Sequence, residues 1–226
     1  MAIIHQVTLK PTKLELLAGW LPAQPWYAGT GDAAALAKAG GFRLDDPEGA
    51  VGIEFMVVTD RSGDEPVSYQ VPLSYRGAPL DGAEHALVGT TEHEVLGRRW
   101  VYDGTHDPVL VAQLLALVGG EAQAQAQSVN ETPDPTVTAF FAGSGGLGAI
   151  RSTSVTDGTY STRLLVRTDG DGPDTTLTVR VHRVLRPGEG DAAARAGHAL
   201  GYVSAPWLLP DGTTARDLFA VVESGA

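Results

Sequence analysis

The chain has 226 residues, 43% of them hydrophobic and 19% charged, so it holds enough apolar side chain for a packed core and lies outside the charge-rich, apolar-poor composition of disorder. It has no cysteine, which excludes a disulfide framework, a thiolate nucleophile and a cysteine-built zinc centre. The formal net charge of -11 repels polyphosphate and anionic lipid, so neither nucleic acid nor membrane is expected as a partner. All three lysines, Lys10, Lys13 and Lys38, fall near the start, and arginine supplies every later positive charge.

Met1 to Lys10 lacks a charged stretch followed by a long apolar one, and no apolar run reaches the roughly 20 residues that span a bilayer, so the expected location is the cytoplasm. Ile3 to Leu9 reads as a short strand. Thr12 and Glu15 then stand at capping-box spacing, which starts a helix with Leu14, Leu17 and Leu21 on one face, and Pro22 stops it. Trp20, Trp26 and Tyr27 crowd into the following turn, where large rings either anchor a core or form an interaction surface.

Residues 52–59 predict a strand, the polar Asp60 to Glu65 stretch a turn, and the alternation of Val67, Tyr69, Val71, Leu73 and Tyr75 a second strand of the same hairpin. Pro72 lacks a backbone donor, which predicts an edge or a bulge there. Further strands are expected at Ala86 to Thr90 and Glu94 to Tyr102. Asp107-Pro108 pairs a helix cap with a first-turn proline, and Val111, Leu114, Leu115 and Val118 follow at helical spacing. Gly119-Gly120 and the small polar residues up to Pro135 read as a linker, 119–135, dividing a first domain, 1–118, from a second unit, 136–226. The second unit is strand-rich, at 136–141, 159–168 and 175–185, with a glycine-rich turn at Asp169 to Pro173, a short helix at 191–200 and a last strand at 217–222.

Gly143-Ser144-Gly145-Gly146-Leu147-Gly148 has the glycine density of a phosphate-cradling loop but not the terminal lysine and hydroxyl of a Walker motif. The six histidines, at 5, 85, 93, 106, 182 and 198, include no pair at the i, i+4 spacing of two ligands on one helix face, so no metal is expected. The acidic pairs Asp45-Asp46 and Glu92 with Glu94 suit general acid and base work only inside a pocket, and no G-x-S-x-G elbow exposes a serine nucleophile. These readings predict a protein without a catalytic site or cofactor.

Trp20-Leu21-Pro22-Ala23-Gln24-Pro25-Trp26-Tyr27 resembles the opening of actinobacterial maltokinases and related aminosugar kinases, where W-L-x-x-Q-x-W and a further aromatic begin an N-terminal cap. Trp100-Val101-Tyr102-Asp103-Gly104 and Asp107-Pro108-Val109-Leu110 resemble the V-x-D-A and D-P-E-L motifs that close it. The likeness covers residues 1 to about 118. Past the linker, Arg180-Val181-His182-Arg183-Val184-Leu185-Arg186-Pro187-Gly188 is similar to the K-x-F-R-R-L-x-P-G strand of the kinases, with Arg180 in place of the lysine that holds nucleotide phosphates. Tyr160-Ser161-Thr162 stands where the family has a serine-rich nucleotide loop. No H-G-D, D-F-D, D-F-E or D-F-G string appears, so the catalytic lobe's base and metal-binding acids have no counterpart.

The resemblance implies an α+β fold, a curved antiparallel sheet packed on helices (a cystatin-like cap) followed by a second small antiparallel β-rich unit. It implies a non-catalytic binding or regulatory protein, with a protein partner in α-glucan metabolism. A second reading is the nucleotide-binding half of a degenerate or two-chain sugar kinase using Arg180, Gly143, Gly145 and Gly146. A third is a carbohydrate-binding module, with an interaction surface built on Trp20, Trp26, Tyr27 and Trp100.

Overall fold

A computed structural model describes residues 9–29, 34–127, 132–143, 147–169, 175–188, 197 and 199–225. The first half runs β1 (Leu9–Lys10), α1 (Lys13–Trp20), β2 (Leu36–Leu44), β3 (Gly52–Asp60), β4 (Val67–Arg76), β5 (Leu87–His93), β6 (Gly97–Asp103) and α2 (Pro108–Val118). The second runs β7 (Gln125–Ala126), β8 (Thr138–Phe141), β9 (Ala149–Asp157), β10 (Ser161–Asp169), β11 (Thr175–His182), β12 (Val184–Leu185), β13 (Gly201–Leu208) and β14 (Thr214–Ser224). Short 3₁₀ turns occupy Leu21–Ala23, Glu84–Ala86 and Gly104–His106.

Local chemistry sets both helices. The Thr12 hydroxyl accepts from the Glu15 amide, while the Glu15 carboxylate accepts from the Thr12 amide at 2.7 Å, so α1 opens on a reciprocal cap. Asp107 caps α2 by accepting from the Val109 amide at 2.9 Å, with Pro108 in the first turn. The helix is anchored to the core by Leu110, Val111, Leu114, Leu115 and Val118.

The expected α+β arrangement is corrected here: the fold is mostly antiparallel β, one large sheet with two α-helices among the described residues. Its order is β1-β5-β6-β4-β3-β2-β13-β14-β11-β10-β9, so strands from the second half continue the sheet of the first through β13 against β2. The physical reason lies in β2. Its sequence, Leu-Ala-Lys-Ala-Gly-Gly-Phe-Arg-Leu, shows no clean alternation, and its two glycines let it bend between two neighbours. The register against β3 shifts between Lys38 and Gly40. Gly41 has φ 121°, and a Cβ there would stand 2.0 Å from the Phe55 carbonyl oxygen.

Pro72 is not on an outer edge, since β4 lies between β3 and β6. The β4 edge facing away from β3 is shared: β12 pairs with Ser68 and Tyr69, and β6 pairs with Leu73 to Arg76. Pro72 falls in the interval between them, where no strand register asks it for a donor. The β12 pairing has a larger consequence. The path from β4 through β3, β2, β13, β14 and β11 returns to β4 through β12, which follows β11 after Arg183. The sheet thereby closes on itself.

One core fills that closure, with Phe42, Phe55, Val57, Val179, Val181, Val203, Trp207 and Phe219 packed with the apolar face of α2. Phe42 stacks on Phe55 at 4.7 Å. A second core lies between α1 and the other face of β3 and β4, where Leu17, Leu21, Trp26, Met56, Val58, Tyr69 and Val71 meet. Glu54 ties α1 to the sheet: buried on β3, it is ion-paired with Lys13 and accepts from the Tyr75 hydroxyl at 2.8 Å and the Gln127 amide at 2.9 Å.

The Gly41 geometry generates a direct test. Gly41→Ala must move the β3 backbone or abandon its own conformation, and it is expected to destabilise the protein by about 2 kcal/mol or more, read by urea unfolding. Gly82→Ala, at φ 77° with nothing within 4 Å of the new Cβ, carries the backbone strain without the collision and is expected to cost less.

Candidate functional site

Four stretches of chain meet at Arg183. Its side chain is fully buried; Nη2 donates to Asp103 Oδ2 at 2.5 Å and to Thr105 Oγ1 at 3.0 Å, and Nε donates to Thr162 Oγ1 at 2.7 Å. The guanidinium lies 4.8 Å from the Trp26 ring centroid. Thr162 donates onward to Asp157, so one relay joins the end of β6, the turn after α1, β9 and β10. Nη1 has no hydrogen-bond partner, which makes the carboxylate and the π face the main compensation for a desolvated charge.

This centre was missed by sequence reasoning, although a signal existed. Leu177, Val179, Val181, Arg183 and Leu185 continue one period-2 series, and all five are buried. An arginine in an inward register requires an acid on the facing element. The same parity sends Arg180 outward: it pairs with Glu223 on β14, Nη2 donating to the two carboxylate oxygens at 3.1 and 2.8 Å, and both side chains remain substantially exposed.

Asp107 is the second fixed acid. Arg76 binds it through two parallel hydrogen bonds, Nε to Oδ2 at 2.6 Å and Nη2 to Oδ1 at 2.7 Å, while Val109 supplies the capping amide. Burial pushes the Asp107 carboxyl up, but the Arg76 hydrogen bonds and charge outweigh it and hold the group below the ordinary carboxylate value.

Two histidines that are far apart in sequence also converge. His85 Nε2 lies 3.1 Å from His106 Nδ1 with the rings edge to face, joining the 3₁₀ turns at 84–86 and 104–106. Burial pulls the His106 imidazole below its ordinary value, against the pull of Asp103. Among the described residues no group of three or more His, Cys, Asp or Glu is arranged to hold a metal ion.

The aromatic residues of the opening motif serve the core. Trp26 is 1% exposed, and Trp20 packs edge to face on it at 5.7 Å. Tyr27 stacks on Tyr69 and donates to Asp60 at 2.8 Å. The buried Tyr69 hydroxyl, its pKa pushed up to about 12 by desolvation, accepts from the Ala28 amide at 2.9 Å. Trp100 on β6 is half-buried and packs on Ala83, Ala86 and Tyr102.

Gly143 lines a groove of about 630 Å³ between the C-terminal end of α2 and β8; Val118, Glu121, Asp134, Phe140 and Phe141 share it. Ser144, Gly145 and Gly146 lie outside the described residues, as do His5, His198, the Asp169 to Pro173 turn beyond Asp169 and most of the expected helix at 191–200. The groove is electronegative. Among the described residues its charged lining consists of Glu121 and Asp134, and α2 presents its carbonyl end there with no basic residue in the last turn.

Two outcomes are expected from the fixed acids. Arg183→Met strands Asp103 as a lone buried charge and should cost about 3–5 kcal/mol in urea unfolding, part of which returns when Asp103→Asn is added. Asp107 has a lowered folded pKa, so its stabilisation is full above the unfolded value near ~3.9 and is lost as pH falls through the folded one. Glu54 shifts in the same direction. Asp107→Asn should therefore flatten, without abolishing, the fall of Tm below about pH 4, and leave the profile from pH 5 to 7 parallel to the wild type.

The sequence model of the maltokinase N-terminal cap domain matches residues 20–107. No curated protein matches the chain. The matched segment begins at Trp20 and ends at Asp107, so it spans Trp26, Asp103 and Arg76 and stops at the cap of α2. Residues 20–107 are thus similar to a maltokinase N-terminal cap domain, and the match is confined to that segment of the chain.

Proposed function

We propose that this protein is a non-catalytic binding or regulatory protein that acts beside enzymes of maltose-1-phosphate, trehalose or glycogen metabolism. The observation that carries the reading is the electronegative groove at Gly143, where a nucleotide loop would have to cradle phosphate. Glu121, Asp134 and the carbonyl end of α2 repel a polyphosphate from it.

Arg180 supports the same reading. It stands where the kinases have their phosphate-binding lysine, but its guanidinium points outward from the sheet and its charge is offset by Glu223. The motif residues Trp26, Asp103 and Asp107 are engaged in packing, in the Arg183 pair and in the cap of α2, so what the cap motifs keep is architecture.

Two measurements decide the matter. Calorimetric titration with MgATP is expected to give no saturable heat, and MgATP no rise in Tm, since any ligand of the folded state raises Tm by mass action. Saturable heat restores the nucleotide-binding half of a two-chain kinase. Sedimentation of the chain with purified enzymes that make or consume maltose-1-phosphate is expected to give a heterocomplex with one of them. A panel that sediments independently removes the metabolic link.

A further inference from the structure

The outward face of the second half carries a regular pattern of arginines and aromatic rings. Directly opposed residues of antiparallel strands project to the same side. The registers align Thr156, Arg163, Arg180, Val221, Tyr202 and Phe140 in one row across β9, β10, β11, β14, β13 and β8, with Val221 buried between its larger neighbours and the other side chains at least partly open. A second row holds Ser154, Leu165, Thr178 and Glu223, and a third Ser152, Arg167 and Thr176.

The charges on this face are unbalanced. On these rows three arginines stand against Glu223, and the next outward residue of β10, Asp169, is matched by Arg151, in a chain whose formal net charge is -11. Arg163 lies directly opposite Arg180, a like-charge arrangement that weakens a sheet, and Glu223 answers only Arg180. Arg163 and Arg167 are exposed, and neither makes an ion pair among the described residues. At the other end of the first row Phe140, 48% exposed, stacks on Tyr202 at 5.5 Å, and Leu165 is 37% exposed in the row beside it. A solvated sheet face gains nothing from such rings or from opposed cations; an anionic ligand with an apolar anchor satisfies both.

Size selects the occupant. Five strand spacings give roughly 24 Å across, and the rows from Arg163 to Arg167 give about 14 Å along the strands. That is on the order of 330 Å², less than half of the roughly 800 Å² per partner that a stable globular pair buries. An extended segment of about seven residues spans the row. A long polyanion is disfavoured because it meets the negative field of the whole molecule, whereas a few carboxylates engage the local arginines.

We infer that this face docks a short, extended acidic segment of a partner protein, with carboxylates on Arg163, Arg167 and Arg180 and an aromatic or large aliphatic side chain on the Phe140 and Tyr202 pair. The inference rests on reading the chain as a binding protein. It adds where the chain binds and the chemistry that is recognised.

The test uses the full chain and a fluorescein-labelled eight-residue peptide with a phenylalanine at one end and three glutamates at the other, followed by fluorescence anisotropy at low and moderate salt. Saturable binding is expected, weakening as salt rises. The glutamine counterpart of the peptide, and the Arg163→Glu, Arg167→Glu double variant, should each bind about tenfold more weakly, and Phe140→Ala about fivefold. These side chains are exposed, so unchanged circular dichroism and Tm are expected to accompany the loss. Equal binding by the charge-reversed variant or by the glutamine peptide overturns the proposal, as does tighter binding of an eight-nucleotide single-stranded DNA or no binding of the acidic peptide. Failure here alongside an intact heterocomplex in sedimentation removes this face and leaves the binding reading standing; MgATP heat removes the reading itself.

Discussion

Taking a guanidinium out of water costs several kcal/mol, and Arg183 recovers it from one carboxylate, two hydroxyls and the face of an indole. Those partners come from three separate parts of the chain. Asp103 ends β6 and Thr105 lies in the 3₁₀ turn that follows it, Trp26 closes the turn after α1, and Thr162 lies on β10. The charge is compensated only when all of these segments are in place, so the pair demands the whole arrangement at once. Its position between β11 and β12 is also where the sheet turns back to pair with β4.

That constraint explains how the motif residues are used. In the matched cap segment, Trp26 covers a cation, Asp103 neutralises it, and Asp107 holds Arg76 while capping the helix that fills the main core. These are residue types that elsewhere stack on ligands or exchange protons. Here their lone pairs and faces are occupied by internal partners, and water is excluded from the Arg183 and Asp103 pair. Chemistry at these positions would require breaking the contacts that close the fold.

The surface divides by charge in a complementary way. Glu121, Asp134 and the carbonyl end of α2 make the groove near Gly143 electronegative, while the outward face of β10 and β11 gathers arginines against the sign of the molecule as a whole. The alternation along β11 and into the residue after it buries Val179, Val181 and Arg183 and turns Arg180 outward, so one stretch of chain supplies the internal latch and part of the external face.

Residues close in sequence determined the local structure. Thr12 with Glu15, and Asp107 with Pro108, fixed where the helices start; the alternation from Val67 to Tyr75 and the polar turn before it fixed the β3 and β4 hairpin; and the cap likeness was carried by Trp20 to Tyr27 and Asp103 to Leu110. Each depends on contacts spanning a few residues, or on a motif kept in order. The tertiary structure decided the rest, because the deciding contacts join distant residues. The pairing of β2 with β13 made one sheet of what reads as an α+β domain and a separate β unit, and two glycines allowed the bend. The buried partner of Arg183, the meeting of His85 with His106, and the row from Arg163 to Phe140 exist only once strands far apart in the chain are set in register.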